Sequence, residues 1–396
     1  MSSLPPLVEP AAELTRDEVA RYSRHLIIPD LGVDGQKRLK NAKVLVIGAG
    51  GLGSPTLLYL AAAGVGTIGI VEFDVVDESN LQRQIIHGQS DIGRSKAESA
   101  RDSILEVNPL VTVRLHELRL APDNAVQLFE RYDLILDGTD NFATRYLVND
   151  AAVLAHKPYV WGSIYRFEGQ ASVFWEDAPA DEDGNERSLN YRDLYPEPPP
   201  PGMVPSCAEG GVLGILCASI ASIMGTEAVK LITGIGETLL GRLMIYDALD
   251  MTYRTIRIRK DPETPKITEL IDYESFCGVV SEAVADAAQD STVTPRELRE
   301  LLDSGKKLVL IDVREPVEWE INHITGAELI PKSVIESGEG LTKLPHDRVP
   351  VLYCKTGVRS AEALALVKKA GFSDALHLQG GIVAWAKQID PDMVMY

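Results

Sequence analysis

Short apolar runs alternate with amphipathic segments through the first part of the chain. The apolar runs have the length of buried strands, and they are residues 43–47, 67–72, 111–115, 134–137 and 158–162. Residues 55–63 and 95–107 have helical spacing, and Thr15 with Glu18 forms the capping box of a helix that extends to residue 26. Strands that alternate with helices predict an α/β fold with a mostly parallel sheet.

The pattern changes after the fifth predicted strand. Residues 177–209 combine an acidic, glycine-containing patch with a proline run, which predicts a long mobile loop because this composition cannot build a core. A regular pattern then resumes, with a predicted helix at 214–232 and two predicted strands within 243–259. The first domain is therefore predicted at residues 11–278, interrupted by that loop.

A second, smaller α/β domain is predicted at residues 293–396. Residues 279–292 are rich in Ala, Asp and Ser and predict a linker, after which Thr294 and Pro295 begin a capped helix. Three apolar runs predict the strands of this domain, and they are residues 308–313, 349–353 and 375–378.

Composition narrows the possible partners and compartments. The formal net charge of −19 at pH 7 argues against nucleic acid or an anionic membrane as a partner. Four scattered cysteines do not form the pattern of a disulfide framework, and no N-terminal targeting pattern is present, so we expect a cytoplasmic protein. The uncharged stretch at 210–226 is short for a membrane span, and it predicts a buried core or interface helix.

A glycine motif lies between the first predicted strand and the next helix. Gly48-Ala49-Gly50-Gly51-Leu52-Gly53 matches G-x-G-x-x-G, in which the glycines let the backbone approach a pyrophosphate. Glu72 ends the next strand, at the position where an acidic residue binds ribose hydroxyls. The motif predicts a Rossmann-like nucleotide-binding domain. Because the usual ligand of this motif is NAD, an NAD-dependent oxidoreductase remains one alternative.

The charged residues around this motif favour ATP over NAD. They comprise several cations, amides and a metal-type aspartate, and they are Arg24, Asn80, Arg83, Gln84, Lys96 and Asp140. Hydride transfer does not need three extra cations. A carboxylate that attacks the α-phosphate of ATP does, because Arg, Lys and Mg²⁺ stabilise the charge that builds on the phosphates.

These ordered motifs resemble the MoeB/ThiF-type, ubiquitin-activating-enzyme-like adenylyltransferases over about residues 14–278. The resemblance implies that Glu72, more often Asp in the family, binds the adenylate ribose with Asp74 nearby. It also implies that Asp140 holds Mg²⁺ and that Arg24 reaches ATP from the other subunit of a homodimer. The residues implied to contact the phosphates are Asn80, Arg83, Gln84 and Lys96.

Many members of this family bind a structural zinc ion through two Cys-x-x-Cys pairs. The corresponding positions in this chain are Asn190, Asp193, Glu274 and Cys277. One thiol with these neighbours does not make a tetrahedral zinc site, so we expect no structural zinc.

A cysteine loop in the second domain predicts sulfur chemistry. Cys354 lies between a predicted strand and a predicted helix, where backbone N–H groups and Arg359 favour a thiolate. The second domain resembles a rhodanese, in which the C-x4-R loop fits a sulfane sulfur on the cysteine. Cys207, near the end of the long loop, matches a cysteine that fused relatives use to release product. Cys217 is predicted to pack in a helix, and His323 belongs to the fold signature.

The fusion of the two domains resembles the MoeZ/MoeBR-type sulfurtransferases. The implied substrate is a small β-grasp sulfur-carrier protein of the MoaD, ThiS or CysO type with a C-terminal Gly-Gly. ATP would adenylate its carboxylate, and a Cys354 persulfide would supply sulfur to leave a thiocarboxylate. The implied sulfur donor is thiosulfate or the persulfide of a cysteine desulfurase, in molybdenum cofactor, cysteine or thiamine synthesis. The second alternative is a non-catalytic scaffold that binds the carrier.

Overall fold

The structure is a computed structural model that describes residues 4–180, 184, 186–199, 211–277 and 291–395. The chain divides into two compact units, Met1–Val279 and Val280–Tyr396. Both units contain a sheet with helices packed against it, so the predicted α/β class is confirmed.

An eight-stranded sheet forms the centre of the first unit, in the order β3-β2-β1-β4-β5-β6-β7-β8. The first five strands of that order run parallel, and β6, β7 and β8 extend the sheet in antiparallel fashion. The strands are β1 Lys43–Ile47, β2 Thr67–Val71, β3 Thr112–His116, β4 Leu134–Asp137, β5 Tyr159–Tyr165, β6 Glu168–Phe174, β7 Arg242–Asp247 and β8 Thr252–Arg257.

Nine described helices accompany this sheet within the described part of the first unit. They are α1 Arg16–Arg21, α2 Ser23–Leu26, α3 Gly32–Asn41, α4 Gly53–Ala63, α5 Lys96–Val107, α6 Ala125–Phe129, α7 Phe142–Leu154, α8 Gly214–Thr233 and α9 Tyr273–Phe276. Three short 3₁₀ turns lie at Glu78–Asn80, Gln89–Asp91 and Tyr191–Asp193.

Apolar cores cover both faces of the parallel strands. Along β1, Val44 and Val46 belong to one core, whereas Leu45 and Ile47 belong to the other. Successive side chains of a strand point to opposite faces, and a sheet that is buried on both faces therefore needs a continuous apolar run. This is the reason that the short apolar runs predicted the strands correctly.

Helix α8 is long and apolar enough to cross a membrane by length and composition alone, with 56% of its most apolar window buried inside the protein. Leu216, Ile220, Met224 and Leu231 of this helix belong to the larger core of the first unit. The prediction of a core helix is therefore confirmed.

Two predictions in the first unit need correction. The helix expected through residue 26 is broken into α1 and α2 at Tyr22, a buried residue whose hydroxyl accepts a hydrogen bond from Asn108 at 2.8 Å. The stretch 177–209 is partly core rather than a uniform loop, because Leu189 and Tyr191 are each 2% exposed. The ring contacts of Tyr191 with β5 and β6, and the backbone pairing of Leu189 with Trp175, outweigh the acidic composition around them.

The second unit has a five-stranded parallel sheet in the order β11-β10-β12-β13-β9. Its strands are β9 Thr292–Val293, β10 Leu308–Asp312, β11 Glu328–Leu329, β12 Val349–Tyr353 and β13 Leu376–Leu378. Its described helices are α10 Pro295–Asp303, α11 Pro316–Ile321, α12 Lys332–Glu336, α13 Val358–Lys369 and α14 Gly381–Gln388, with a 3₁₀ turn at Gly340–Lys343. Thr292 pairs with His377, so the sheet begins inside the stretch predicted as linker.

Candidate functional site

The glycine motif forms a tight turn from β1 into α4. Gly48 has a φ of +89°, which favours glycine, and a Cβ at Gly53 would lie 2.0 Å from the carbonyl oxygen of Gly48. The turn lies at the carboxyl end of β1, beside the end of β4. The strand order reverses between these two strands, which is where doubly wound sheets bind their ligands.

A cavity of about 240 Å³ opens at this edge of the sheet. Its walls contain nine of the residues that the sequence assigned to nucleotide and metal binding, namely Gly48, Gly50, Gly51, Glu72, Asp74, Arg83, Gln84, Lys96 and Asp140. The fold therefore brings together residues that are spread over almost one hundred positions of the chain, because three parallel strands end at the same edge.

Glu72 and Gln84 differ in how their side chains are held in this cavity. The carboxylate of Glu72 accepts hydrogen bonds from the N–H groups of Ala49, Phe73 and Asp74 at 2.8–3.0 Å, which holds it at the cavity wall. Oε1 of Gln84 is buried and has no hydrogen-bond partner among the described residues. Buried polar atoms are normally satisfied, so this orphaned oxygen fits a site that is completed by a polar ligand.

The cations of the cavity are held by neighbouring groups. Lys96 is 7% exposed and lies 3.4 Å from the carboxylate of Asp74, and Arg83 donates a hydrogen bond to the carbonyl oxygen of Ser79 at 3.0 Å. These contacts hold the charged ends of both side chains, and the stem of Arg83 also lies beside Gly51 of the glycine turn. A helix N-terminus and these two cations line one cavity, which suits the binding of phosphates.

Two aspartates at the end of β4 differ in environment. Asp137 is fully buried, and burial raises the pKa of its carboxyl group, while its Oδ1 accepts hydrogen bonds from the N–H and hydroxyl of Thr139 at 3.0 and 2.7 Å. Asp140 is exposed on the cavity rim. A solvated carboxylate beside a phosphate site fits Mg²⁺, which prefers one or two carboxylates together with phosphates and water. Mg²⁺ held there would neutralise phosphate charge.

Three of the predicted residues lie outside the walls of this cavity. Gly53 is buried at the start of α4, where it allows the helix to approach the turn. The side chain of Asn80 accepts a hydrogen bond from the N–H of Asp77 and closes a 3₁₀ turn. Arg24 is exposed on α2. Its predicted role across a dimer remains a prediction.

An aromatic cavity of about 630 Å³ adjoins the nucleotide cavity. The two share Asp140, Asn141, Ile164 and Arg145 in their walls. Sequence reasoning missed Arg145, although a cation inside the apolar helix α7, five positions after Asp140, was a usable signal.

The reactive loop of the second unit follows β12. Cys354 is 1% exposed, and its Sγ accepts a hydrogen bond from the N–H of Gly357 at 3.1 Å. Gly357 has a φ of +105° and precedes α13, while the carbonyl oxygens of Cys354 and Lys355 accept hydrogen bonds from Ile382 and Val383 of α14. The loop is thereby fixed with a backbone donor aimed at sulfur, which stabilises a sulfur anion.

The guanidinium of Arg359 lies in an ion pair, and its predicted role at the sulfane sulfur remains a prediction. Its guanidinium donates two hydrogen bonds to the carboxylate of Glu318, at 2.7 and 2.9 Å, and both side chains are nearly buried. A bidentate ion pair of this kind fixes the orientation of the guanidinium more than it supplies positive charge to the loop. This ion pair ties the first turn of α13 to Glu318 of α11, while the N–H of Gly357 contacts the sulfur.

The other cysteines have separate surroundings. Cys207 lies outside the described residues. Cys217 is fully buried in α8, as predicted for a packing residue. Burial raises the pKa of Cys277 to about 11, which disfavours its thiolate.

The positions that correspond to zinc ligands in other proteins make polar contacts here. Asp193 lies 3.3 Å from Nζ of Lys260, Asn190 donates to Glu176, and Glu274 accepts from Arg119. Three of the four positions thus take part in polar contacts, and Cys277 packs against an apolar core.

The fold and the glycine-turn cavity define a nucleotide-binding protein of the ThiF class, and the cysteine loop defines a rhodanese-like domain. Residues 22–266 match the model of the ThiF family, and residues 294–388 match that of the rhodanese-like domain. The chain therefore belongs to the ThiF family and carries a rhodanese-like domain after it.

Similar proteins combine the same two domains. The chain is 82% identical over 395 residues to "Probable adenylyltransferase/sulfurtransferase MoeZ" of Mycobacterium tuberculosis (strain ATCC 25618 / H37Rv), covering 100% of both chains. It is 40% identical over 402 residues to "Adenylyltransferase and sulfurtransferase MOCS3" of Drosophila ananassae, covering 97% of this chain and 87% of that one. These relatives favour adenylation over the NAD-dependent alternative.

Solved structures share the fold of the first unit. The crystal structure of PaaA superposes with a TM-score of 0.52 at 25% identity, covering 63% of this chain and 76% of that chain. E. coli MccB with ATP superposes with a TM-score of 0.51 at 20% identity, covering 62% and 73%. The likeness to MccB shows the shared fold.

Proposed function

We propose that this chain uses ATP to activate the C-terminal carboxylate of a small sulfur-carrier protein and then replaces one of its oxygens with sulfur. The observation that carries the proposal is the presence in one chain of two built anion sites. One is the cavity with Arg83, Lys96 and Asp140, and the other is the Cys354 loop. The relative in Thermus thermophilus, 49% identical over 271 residues, is named "Sulfur carrier protein adenylyltransferase".

The first step belongs to the glycine-turn cavity. A carboxylate oxygen of the carrier's Gly-Gly tail attacks the α-phosphorus of ATP, and pyrophosphate leaves with the electrons of the broken P–O bond. Arg83 and Lys96 face the phosphates, and the helix N-terminus after Gly51 adds its N–H groups. The product is an acyl-adenylate, which has a better leaving group than the free carboxylate.

The second step belongs to Cys354. Its thiolate takes a sulfane sulfur from thiosulfate, releasing sulfite, or from a desulfurase persulfide. The terminal sulfur then attacks the acyl carbon, AMP leaves, and an acyl disulfide forms. A second thiol, from Cys207 or from solution, attacks the Cys354 sulfur, and the thiocarboxylate leaves. The N–H of Gly357 stabilises negative charge at the Cys354 sulfur in these exchanges.

Intact mass of the carrier tests this sequence of steps. MoaD-, ThiS- and CysO-type carriers are each incubated with the full chain, Mg-ATP and thiosulfate, and pyrophosphate release is followed in parallel. We expect an oxygen-to-sulfur mass gain on one carrier that is lost in Cys354→Ala and retained in Cys217→Ala, which removes a packing thiol. Sulfur gain that survives Cys354→Ala would assign sulfur delivery to another route, and absence of pyrophosphate release with every carrier would overturn adenylation.

A further inference from the structure

Arg145 is a buried cation at the boundary of the two cavities in the first unit. It lies in the first turn of α7, is 7% exposed, and contributes to the walls of both the nucleotide cavity and the aromatic cavity. Arg145 therefore lies where a group in the aromatic cavity could approach the nucleotide cavity.

The contacts of Arg145 orient its guanidinium without neutralising it. Nε and Nη2 donate to the carbonyl oxygen of Thr139 at 3.3 and 3.2 Å, and the guanidinium carbon lies 5.5 and 5.9 Å from the ring centroids of Phe142 and Trp161. Within the described part of the chain, no carboxylate forms an ion pair with it at 4 Å or less; Asp137 attracts it only from farther away.

Burial of a charge without a paired countercharge is costly in free energy. Arg192 in the same unit is also nearly buried, but its charge is paired. Its guanidinium donates two hydrogen bonds to the carboxylate of Asp150, at 2.7 and 3.0 Å. The polar and aromatic contacts of Arg145 hold it ready for an anion. The fork geometry of an arginine fits a carboxylate or a phosphate with two parallel hydrogen bonds.

The walls of the two cavities indicate which anion this is. The nucleotide cavity has Arg83 and Lys96 for phosphates, whereas Arg145 is the one cation among the described residues that line the aromatic cavity. Aromatic walls such as Trp161 and Tyr191 exclude water, which strengthens a charged contact between them. Asp140, Glu168 and Glu197 also line this cavity, so Arg145 is the group there that can attract an anionic chain end.

We propose that Arg145 binds the C-terminal carboxylate of the acyl substrate and aims it at the nucleotide cavity. This inference rests on the proposed function. The two fork hydrogen bonds are specific for the unreacted acid, because the acyl-adenylate no longer carries a carboxylate charge. Arg145 is therefore a specificity-determining residue that distinguishes a free carboxylate from a neutral chain end.

Two forms of each carrier that differ only in the charge of the C-terminal group test this role. Each of the MoaD-, ThiS- and CysO-type carriers is prepared with a Gly-Gly carboxylate and with a Gly-Gly amide, and its affinity for the full chain is measured by calorimetry. For the carrier that binds, we expect the wild type to prefer the carboxylate by roughly tenfold or more, the size of a charge-assisted hydrogen bond. We expect Arg145→Gln to bind both forms equally.

Further variants separate this role from loss of structure and from phosphate binding. Arg166→Gln is the matched control, because Arg166 lies over Tyr165 at 5.2 Å outside both cavities, and it should keep the preference for the carboxylate. ATP affinity should be unchanged in Arg145→Gln. If Arg145→Gln does not fold, Arg145→Lys keeps the charge but loses the fork, and its preference should fall by several-fold.

Three results would overturn the inference. A carboxylate preference that persists in both Arg145 variants would mean that another group recognises the chain end. In that case, pyrophosphate release by the wild type would still support the proposed function. A loss of ATP affinity as large as the loss of carboxylate preference would assign Arg145 to phosphate. Failure of every carrier to bind and to release pyrophosphate would overturn the inference together with the proposed function.

Discussion

Gly50 and Gly53 lie in the same turn, but an added methyl group should lower stability at Gly53 and ATP affinity at Gly50. In Gly53→Ala, the new Cβ would lie 2.0 Å from the carbonyl oxygen of Gly48, where real Cβ atoms stay beyond about 3.0 Å. Both atoms belong to backbone, so α4 or the turn must move by about 1 Å. In Gly50→Ala, the nearest atom is Nε2 of Gln84 at 3.8 Å, which is an ordinary contact.

The expected sizes of the two effects follow from these distances. Overpacking against rigid backbone lowers the free energy of unfolding of Gly53→Ala by about 3 kcal/mol. For a unit of this size, that loss lowers the Tm by about 6–12 °C. Gly50→Ala should leave the Tm within about 2 °C of the wild type, because its methyl group meets no strain. Since that methyl group lies at the wall of the nucleotide cavity, it should instead weaken ATP binding by roughly tenfold.

Calorimetric unfolding of the full chain, with and without ATP, measures both effects. The transition of the second unit is the internal reference, because Gly53 and Gly50 lie in the first. A Tm for Gly53→Ala within about 2 °C of the wild type would refute the argument that close backbone approach explains this glycine. Equal ATP affinities for Gly50→Ala and the wild type would refute the placement of the nucleotide at the turn.

Three further changes test other parts of the two units. Glu318→Gln should destabilise the second unit by about 3 kcal/mol and slow thiosulfate sulfurtransferase turnover, because a nearly buried Arg359 loses its countercharge; denaturation and a sulfite assay measure both. Asp140→Asn should raise the Mg²⁺ concentration needed for half-maximal pyrophosphate release without changing stability, because Asp140 is exposed. Burial lowers the pKa of His87, so the unfolded chain takes up this proton at a higher pH than the folded chain does, and stability should fall as the pH drops below about 6.5. Denaturation at pH 7.5 and about pH 5.5 should show a smaller loss of stability between the two pH values in His87→Gln than in the wild type.

Much of the first site could be predicted from the sequence because it is built at the ends of parallel strands. The apolar runs located β1, β2 and β4, and each was followed by residues with recognisable chemistry. Parallel strands end at one edge of the sheet, so those residues had to meet whatever the details of packing. The cavity around Gly50, Glu72 and Lys96 is the outcome of that geometry.

The parts that the sequence did not reveal depend on side-chain partners that are distant in the chain. Arg359 is separated by 41 positions from Glu318, and only the folded domain shows that the two form an ion pair. Arg145 was not singled out from the sequence, because its interest depends on the rings of Phe142 and Trp161 that the fold places beside it. Similarly, burial of Tyr191 reversed what the composition of its surroundings predicted.

The two units apply one structural solution to two different anions. In each, a central parallel strand passes through a glycine with positive φ, Gly48 at +89° or Gly357 at +105°, into the N-terminus of a helix. A second glycine lets backbone pass closely over the turn: a Cβ at Gly53 would meet the carbonyl oxygen of Gly48, and one at Gly381 would lie 2.4 Å from that of Cys354. Backbone N–H groups at the start of each helix then favour negative charge, which suits phosphate in one unit and sulfur in the other. Gly53 and Gly381 are therefore the positions at which an added Cβ should disturb each turn directly, before any ligand is involved.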